Sequence, residues 1–318
     1  MLSDMNPLIS ICIPVFDEEK NILPLYQELI SVIESLSDNY EFEIIFTDNN
    51  SEDETWEKIK DIAFRDLRVK ALRFTRNIGF QQSIIANLEH SSGVAVIQID
   101  ADRQDPANLI YDFIKEWERG FKVVYGVRIE RQENLVLNTF RKLGYRFISH
   151  VSDYPIPPDA GDFRLMDREV VDRVVLSSTP KPYLRGIIAS YGYVSAAIPY
   201  KRRERVANKS KFPARKIFNL GLDGVFNHSS WPLKFSSYIG VFVLIFSLIL
   251  SVYYFALKIL RNDLSQGLAS IQILVTLGIG INALFLGIIG NYLNRIYLIL
   301  RDEPKFIVRD QLNFRAQN

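Results

Sequence analysis

Val94-Ala-Val-Ile-Gln-Ile-Asp-Ala-Asp-Arg-Gln-Asp-Pro106 joins a short apolar run to a polar turn that opens with two carboxylates one residue apart. A run of this length, rich in β-branched residues and ended by a turn, reads as a buried strand over 94–99. The same unit recurs on both sides, and we read further strands at 9–15, 42–46, 69–74 and 122–125. Between them, 21–36, 54–65, 81–89 and 107–118 carry apolar residues at helical spacing. Alternating strands and helices with short crossovers predict an α/β fold, a Rossmann-like and mainly parallel sheet covered by helices. Ligands in such sheets bind beyond the carboxyl ends of the strands. Four polar clusters sit there and are expected to share one cleft: Asp17-Glu18-Glu19, Asp48-Asn49-Asn50-Ser51, Arg76-Asn77 and Asp100-Ala101-Asp102.

The hydrophobic content of 48% is ordinary, yet apolar residues pile up after Lys234. Residues 235–257 hold no charge over 23 positions, and 264–294 hold none over 31. About 20 apolar residues span a hydrocarbon core of roughly 30 Å, so both stretches are expected to be transmembrane helices, at about 236–258 and 268–293. The short link 258–263 makes them a hairpin, and Lys234, Arg295, Arg301, Lys305 and Arg309 outside it outnumber Lys258 and Arg261 inside it. The positive-inside rule then places residues 1–205 and the tail 295–318 in the cytoplasm. Residues 206–234 form a basic amphipathic juxtamembrane segment, because 201–216 holds eight Lys or Arg against Glu204 alone. Such a segment is attracted to anionic headgroups of the bilayer. No cleavable signal peptide is expected in residues 1–16. The single cysteine, Cys12, suits packing, and the net charge of +1 excludes no partner.

No Gly-rich dinucleotide turn and no phosphate loop ending in Gly-Lys-Ser/Thr occurs, so any nucleotide must be held another way. Alternate residues of extended chain face one side, so Asp100, Asp102 and Gln104 can offer three oxygens to one hard cation, Mg²⁺ or Mn²⁺. The same Asp-x-Asp pattern also suits a turn cap, and Pro14 and Phe16 equally suit a strand end followed by a core aromatic.

Ser10-Ile-Cys-Ile-Pro-Val-Phe-Asp-Glu-Glu19 with Asn21, Thr47-Asp-Asn-Asn-Ser51 with Asp53, Arg76-Asn-Ile-Gly79 and Asp100-Ala-Asp-Arg-Gln-Asp-Pro106 resemble family 2 glycosyltransferases of GT-A fold. Their order is similar to the polyprenyl-phosphate branch, which includes bactoprenol glucosyltransferases and dolichol-phosphate mannose synthases. Gly161-Asp-Phe-Arg-Leu165 and Ser210-Lys211 before Asp223-Gly224 resemble its bacterial glucosyltransferase subgroup, with paired C-terminal helices. The resemblance implies that Pro14, Phe16 and Glu18 line the nucleotide pocket, that Asp48 or Asn49 contacts the base, and that Asp100, Asp102 and Gln104 of the DXD motif hold metal and diphosphate. Asp162, with Asp159 nearby, is implied to contact sugar hydroxyls or the reacting phosphate. Arg128, Arg131, Arg205, Ser210 and Lys211 are implied to meet the acceptor phosphate. Asn49-Asn50 stands where many relatives have Asp-Gly, Arg103 where an apolar residue is usual, and Ala107 where a second proline is usual.

The expected activity is inverting transfer of a hexose, glucose from UDP-glucose by subgroup, to a polyprenyl phosphate, giving a lipid-linked sugar. A phosphate monoester with a second pKa near 6 is already a dianionic nucleophile at neutral pH, so a strong general base is not obligatory. Mannose from GDP-mannose is the alternative donor. A processive polysaccharide synthase is disfavoured by the lack of a Gln-x-x-Arg-Trp motif, and a noncatalytic scaffold by the retained metal-site carboxylates. A homo-oligomer is left open, and no nucleic-acid partner is expected.

Overall fold

The computed structural model describes residues 6–129, 160–177, 182–203, 267–300 and 304–314, with a few helical positions between 238 and 253. The chain divides into two compact units, one of Met1–His150, Tyr154–Asp223 and Glu303–Asn318, the other of Val151–Asp153 and Gly224–Asp302. In the first unit the predicted alternation is present as β1 (Leu8–Val15), α1 (Ile22–Leu36), β2 (Glu41–Asp48), α2 (Thr55–Arg65), β3 (Val69–Phe74), α3 (Phe80–Glu89), β4 (Ala95–Gln98), α4 (Leu109–Glu118) and β5 (Val123–Arg128). It continues with β6 (Ala160–Asp167), α5 (Arg168–Leu176), α6 (Leu184–Ser190) and β7 (Ser195–Tyr200). The other unit holds α7 (Leu268–Leu300), after which the chain returns to the first as β8 (Val308–Leu312).

The sheet has eight strands in the order β7-β5-β6-β4-β1-β2-β3-β8. Strands β4, β1, β2 and β3 run parallel, as expected for crossovers made by helices. β1 lies at the centre of this run, and Ile9 to Val15 are all buried, so it has no polar face to show. Side-chain alternation splits it between two cores: Ile9, Ile11 and Ile13 pack with residues of α1, α2 and α4, while Cys12 packs with residues of α3, α5 and α6. Cys12 is thus a core residue, and burial pushes its thiol well above the usual range, with Glu43 adding to the effect.

The sheet is mixed rather than mainly parallel. β6 runs antiparallel between β4 and β5, and β8 runs antiparallel along β3. The sequence pattern hid β6 because two of its residues, Asp162 and Arg164, are charged yet inward-facing, and Arg164 is only 3% exposed. The tail assigned to 295–318 is not simply a tail: α7 extends to Leu300, and Val308–Leu312 completes the sheet. Asn313, in the left-handed region at φ 57°, donates two hydrogen bonds, to Ala63 O and Val69 O, which hold the end of β8 against β3.

Among the described residues no helix is long and apolar enough to cross a membrane, and the predicted two-helix hairpin is not found as a pair. Most of its first helix and all of its link lie outside the described residues. The second stretch is part of α7, a helix of 33 residues whose side chains are described at only some positions.

Candidate active site at the carboxyl end of the sheet

β4 delivers the site. Its last residue is Gln98, and the Ile99 amide still donates to Cys12 O at 3.1 Å, so the chain leaves the sheet only at Asp100. Arg103, at φ 58°, turns the chain back. Asp102 does cap this turn, its Oδ1 accepting from the Gln104 amide at 3.1 Å, but its Oδ2 faces elsewhere, 3.5 Å from Arg202 Nη2. Gln104 donates from Nε2 to Arg203 O at 3.4 Å and accepts at its own carbonyl from the Arg203 amide at 2.9 Å. Asp100 is more strained electrostatically. Burial, then the charges of Asp105, Asp162 and Asp102, push its carboxyl well above the usual range, and Arg202 only partly opposes them. Among the described residues its buried Oδ1 has no hydrogen-bond partner.

That orphaned oxygen, crowded by carboxylates, is the feature that fits a divalent cation, which would relieve the excess negative charge. No group of three or more His, Cys, Asp or Glu in metal-holding arrangement occurs among the described residues, so the candidate set stays at Asp100, Asp102 and the Gln104 amide.

Two residues that the sequence reading passed over organise the cations. Asp105, 1% exposed, accepts from Tyr200 Oη at 2.5 Å and lies 3.3 Å from Arg202 Nε and 4.0 Å from Arg128 Nη2. Tyr200, at the end of β7, also accepts from Arg128 Nε at 3.3 Å, and burial followed by the Asp105 charge pushes its phenol far up. Gly126 makes room for this ring, since a Cβ there would sit 2.7 Å from Tyr200 Cε1. Arg128, expected to meet an acceptor phosphate, is here a partner of Asp105 and Tyr200.

A second charged node lies on β6 and α6. Arg185 grips Asp162 with two hydrogen bonds, Nε at 3.0 Å and Nη2 at 2.8 Å, and Arg164 Nη2 adds a third at 3.2 Å. Burial alone would raise the Asp162 carboxyl, but Arg185, then Arg164 and Arg128, hold it below the ordinary value. It is therefore kept ionised.

The residues assigned to the nucleotide side frame the loops after β1 and β2. Pro14 is buried in β1 opposite Thr47, and Phe16 is half-buried just beyond the strand. Glu18 accepts from Asn21 Nδ2 at 2.6 Å. Asp48 is fully buried, with Oδ1 accepting from the Ser51 amide at 3.0 Å and from Ser51 Oγ at 2.5 Å, and Oδ2 lying 3.2 Å from Arg73 Nε. Burial raises its carboxyl, against the hydrogen bonds of Ser51 and the charge of Arg73. Asn49 accepts from the Ile78 amide at 3.0 Å, tying the β2 loop to the Arg76–Gly79 turn. Hydrogen bonds thus join the loops after β1, β2 and β3, which hold three of the four polar clusters. Asp159, Arg131, Arg205, Ser210 and Lys211 lie outside the described residues.

A parallel sheet that ends in an Asp-x-Asp turn, with an antiparallel strand beside it and cations opposite, defines a glycosyltransferase of GT-A-like fold. Residues 10–175 match the model of glycosyl transferase family 2, and the chain belongs to that family. It is 36% identical over 301 residues to an uncharacterized glycosyltransferase of Bacillus subtilis, covering 94% of this chain and 93% of the relative. It is 34% identical over 304 residues to the bactoprenol glucosyl transferase of Shigella phage SfII, covering 95% and 97%. Among solved structures it is similar to a mannosyltransferase from Pyrobaculum calidifontis in complex with GDP-Man and Mn²⁺, at 16% identity and a TM-score of 0.50, over 94% of this chain and 89% of the other.

Proposed function

We propose that the protein transfers a hexose from a nucleotide sugar to a polyprenyl phosphate at the cytoplasmic face of a membrane, with inversion at the anomeric carbon. The observation that carries this reading is the juxtaposition of the turn at 100–105 with Arg128 and Arg202: carboxylates suited to a cation and guanidinium groups suited to phosphate meet around Asp105. Asp100, Asp102 and Gln104 would hold Mg²⁺ or Mn²⁺, which supplies charge neutralisation for the departing diphosphate. Asp162, kept anionic by Arg185 and Arg164, can accept hydrogen bonds from sugar hydroxyls. Arg128 offers its charge to an incoming phosphate dianion, which needs no strong base to act as nucleophile. The relatives named for bactoprenol glucosyl transfer favour a lipid acceptor and a glucosyl group, for which UDP-glucose is the proposed donor. The GDP-Man complex of the Pyrobaculum enzyme keeps mannose as a second reading.

The test is a product assay with purified full-length protein, polyprenyl phosphate and a panel of labelled nucleotide sugars. One lipid-soluble labelled product, formed with UDP-glucose and lost on adding EDTA, is expected. Labelled lipid from GDP-mannose alone would transfer the assignment to mannose, and no lipid product from any donor would end it.

The membrane part of the reading rests on α7 and β8. Residues 264–294 are uncharged, and α7 exposes large apolar side chains such as Ile279, Leu286 and Leu300. Because β8 pairs with β3, both ends of the 224–302 unit connect to the same folded sheet. A segment tethered this way crosses a bilayer an even number of times, which agrees with a hairpin of helices at 235–257 and within α7. Detergent, and not high salt or carbonate, is expected to release the protein from membranes. A cysteine at Asn262 should react with an impermeant thiol reagent outside intact cells, and one at Gln317 should not. Labelling at both, or at Gln317 alone, would refute the arrangement.

A further inference from the structure

We propose that Arg202 is a built-in counter-cation of the Asp100–Asp102 turn, a positioning residue that makes divalent-cation binding depend on the arrival of a nucleoside diphosphate. The inference rests on reading that turn as the cation site. Arg202 Nη2 lies 3.5 Å from Asp102 Oδ2, and its Nε lies 3.3 Å from Asp105 Oδ1. Among the described residues its buried Nε nonetheless has no hydrogen-bond partner, and charge, not aligned hydrogen bonding, joins it to Asp105. The backbone beneath it is fixed. Tyr200 Oη donates to Asp105, the Arg203 amide donates to Gln104 O, and Gln104 Nε2 donates to Arg203 O, so residues 200–203 are stitched to the turn at 102–105. Arg203 and Arg103 share Glu28 as their partner, with Arg203 Nη1 at 2.9 Å, which closes the same seam from outside.

A dication held by Asp102 would meet the positive charge of this guanidinium, which lies 3.5 Å from the carboxylate, and like charges at short range repel strongly in a half-buried site. Mn²⁺ alone must therefore work against Arg202. A nucleoside diphosphate changes the balance, because its oxygens accept from guanidinium in the bidentate geometry that arginine favours. Arg202 then turns from the carboxylates to the diphosphate, and cation and nucleotide bind as a cooperative pair. By linkage, each strengthens the other equally.

The experiment is an Mn²⁺ titration of the full-length protein in detergent, followed by the electron paramagnetic resonance of free Mn²⁺, without nucleotide and with UDP or GDP. Wild type is expected to bind Mn²⁺ weakly alone and more tightly with the nucleotide. Arg202→Gln should bind Mn²⁺ alone about tenfold tighter, while the gain from nucleotide shrinks by about the same factor. Arg202→Lys, which keeps the charge, should follow wild type, and thermal melts establish that each variant is folded. Unchanged or weaker Mn²⁺ binding by Arg202→Gln, or a Lys variant that behaves like Gln, would overturn the inference. Asp102→Asn separates the two levels: if it binds Mn²⁺ as wild type does, the cation site itself is misassigned.

Discussion

Replacing Asp102 with asparagine lowers hexose transfer by about 10² to 10³ or more, the scale on which loss of one preorganised charge-stabilising group acts. The side chain keeps its size and can still accept from the Gln104 amide through its carbonyl oxygen, so the turn capped at 3.1 Å should survive. What disappears is the negative charge on the oxygen that faces Arg202 and the candidate cation position. The variant should melt near the wild-type temperature while its residual turnover no longer responds to Mg²⁺, Mn²⁺ or EDTA. Turnover within a fewfold of wild type, measured with saturating donor and lipid phosphate, would remove the carboxylate from the chemistry.

The second large effect is expected at Asp162. Truncation to alanine leaves Arg164 and Arg185 facing each other without their shared carboxylate, and breaking one member of a buried ion pair typically costs about 3–5 kcal/mol. For a domain of this size that corresponds to a fall in melting temperature of roughly 6–20 °C. Transfer should fall as well, because the anion offered to the sugar is gone. The pH dependence has a definite sign. Asp162 has a folded pKa below its ordinary value of 3.8, so its contribution is complete above that ordinary value and is lost as pH falls through the depressed folded one. Thermal melts of wild type and Asp162→Asn should therefore converge only in strong acid. A melting difference between them that stays constant from pH 7 down to pH 2 would contradict the charge argument.

Five strands and four helices of the catalytic unit were legible because each is a local pattern: period-2 or continuous apolar runs for β1 to β5, helical spacing for α1 to α4. Their ends moved by a few residues, as at β5, which runs on to Arg128. β8 was not legible because Val308-Arg-Asp-Gln-Leu312 is a mostly exposed edge strand with polar residues on it, and nothing local marks its partner. Asp100, Asp102 and Asp162 could be found from motif position. Asp105, Arg185 and Arg202 could not, since their meaning lies in contacts across long separations: Tyr200 reaches Asp105 over 95 residues, and Arg185 reaches Asp162 over 23. The one available signal was compositional. Arg202 stands second in the basic run 201–216, whose charge points to the membrane surface and the acceptor, yet it folds back onto the turn after β4.

The pairing of β8 with β3 also sets a timetable for biosynthesis. β3 ends at Phe74 and its outer neighbour begins at Val308, so the ribosome must add more than 200 further residues before that edge can close. At about 5–20 residues per second the interval is roughly 10–50 s. Throughout it the growing polypeptide presents an open row of amides and carbonyls beside a nearly finished core, the configuration most prone to pairing with a neighbouring nascent chain. The last strand to be made thus seals a sheet whose other strands have long been waiting.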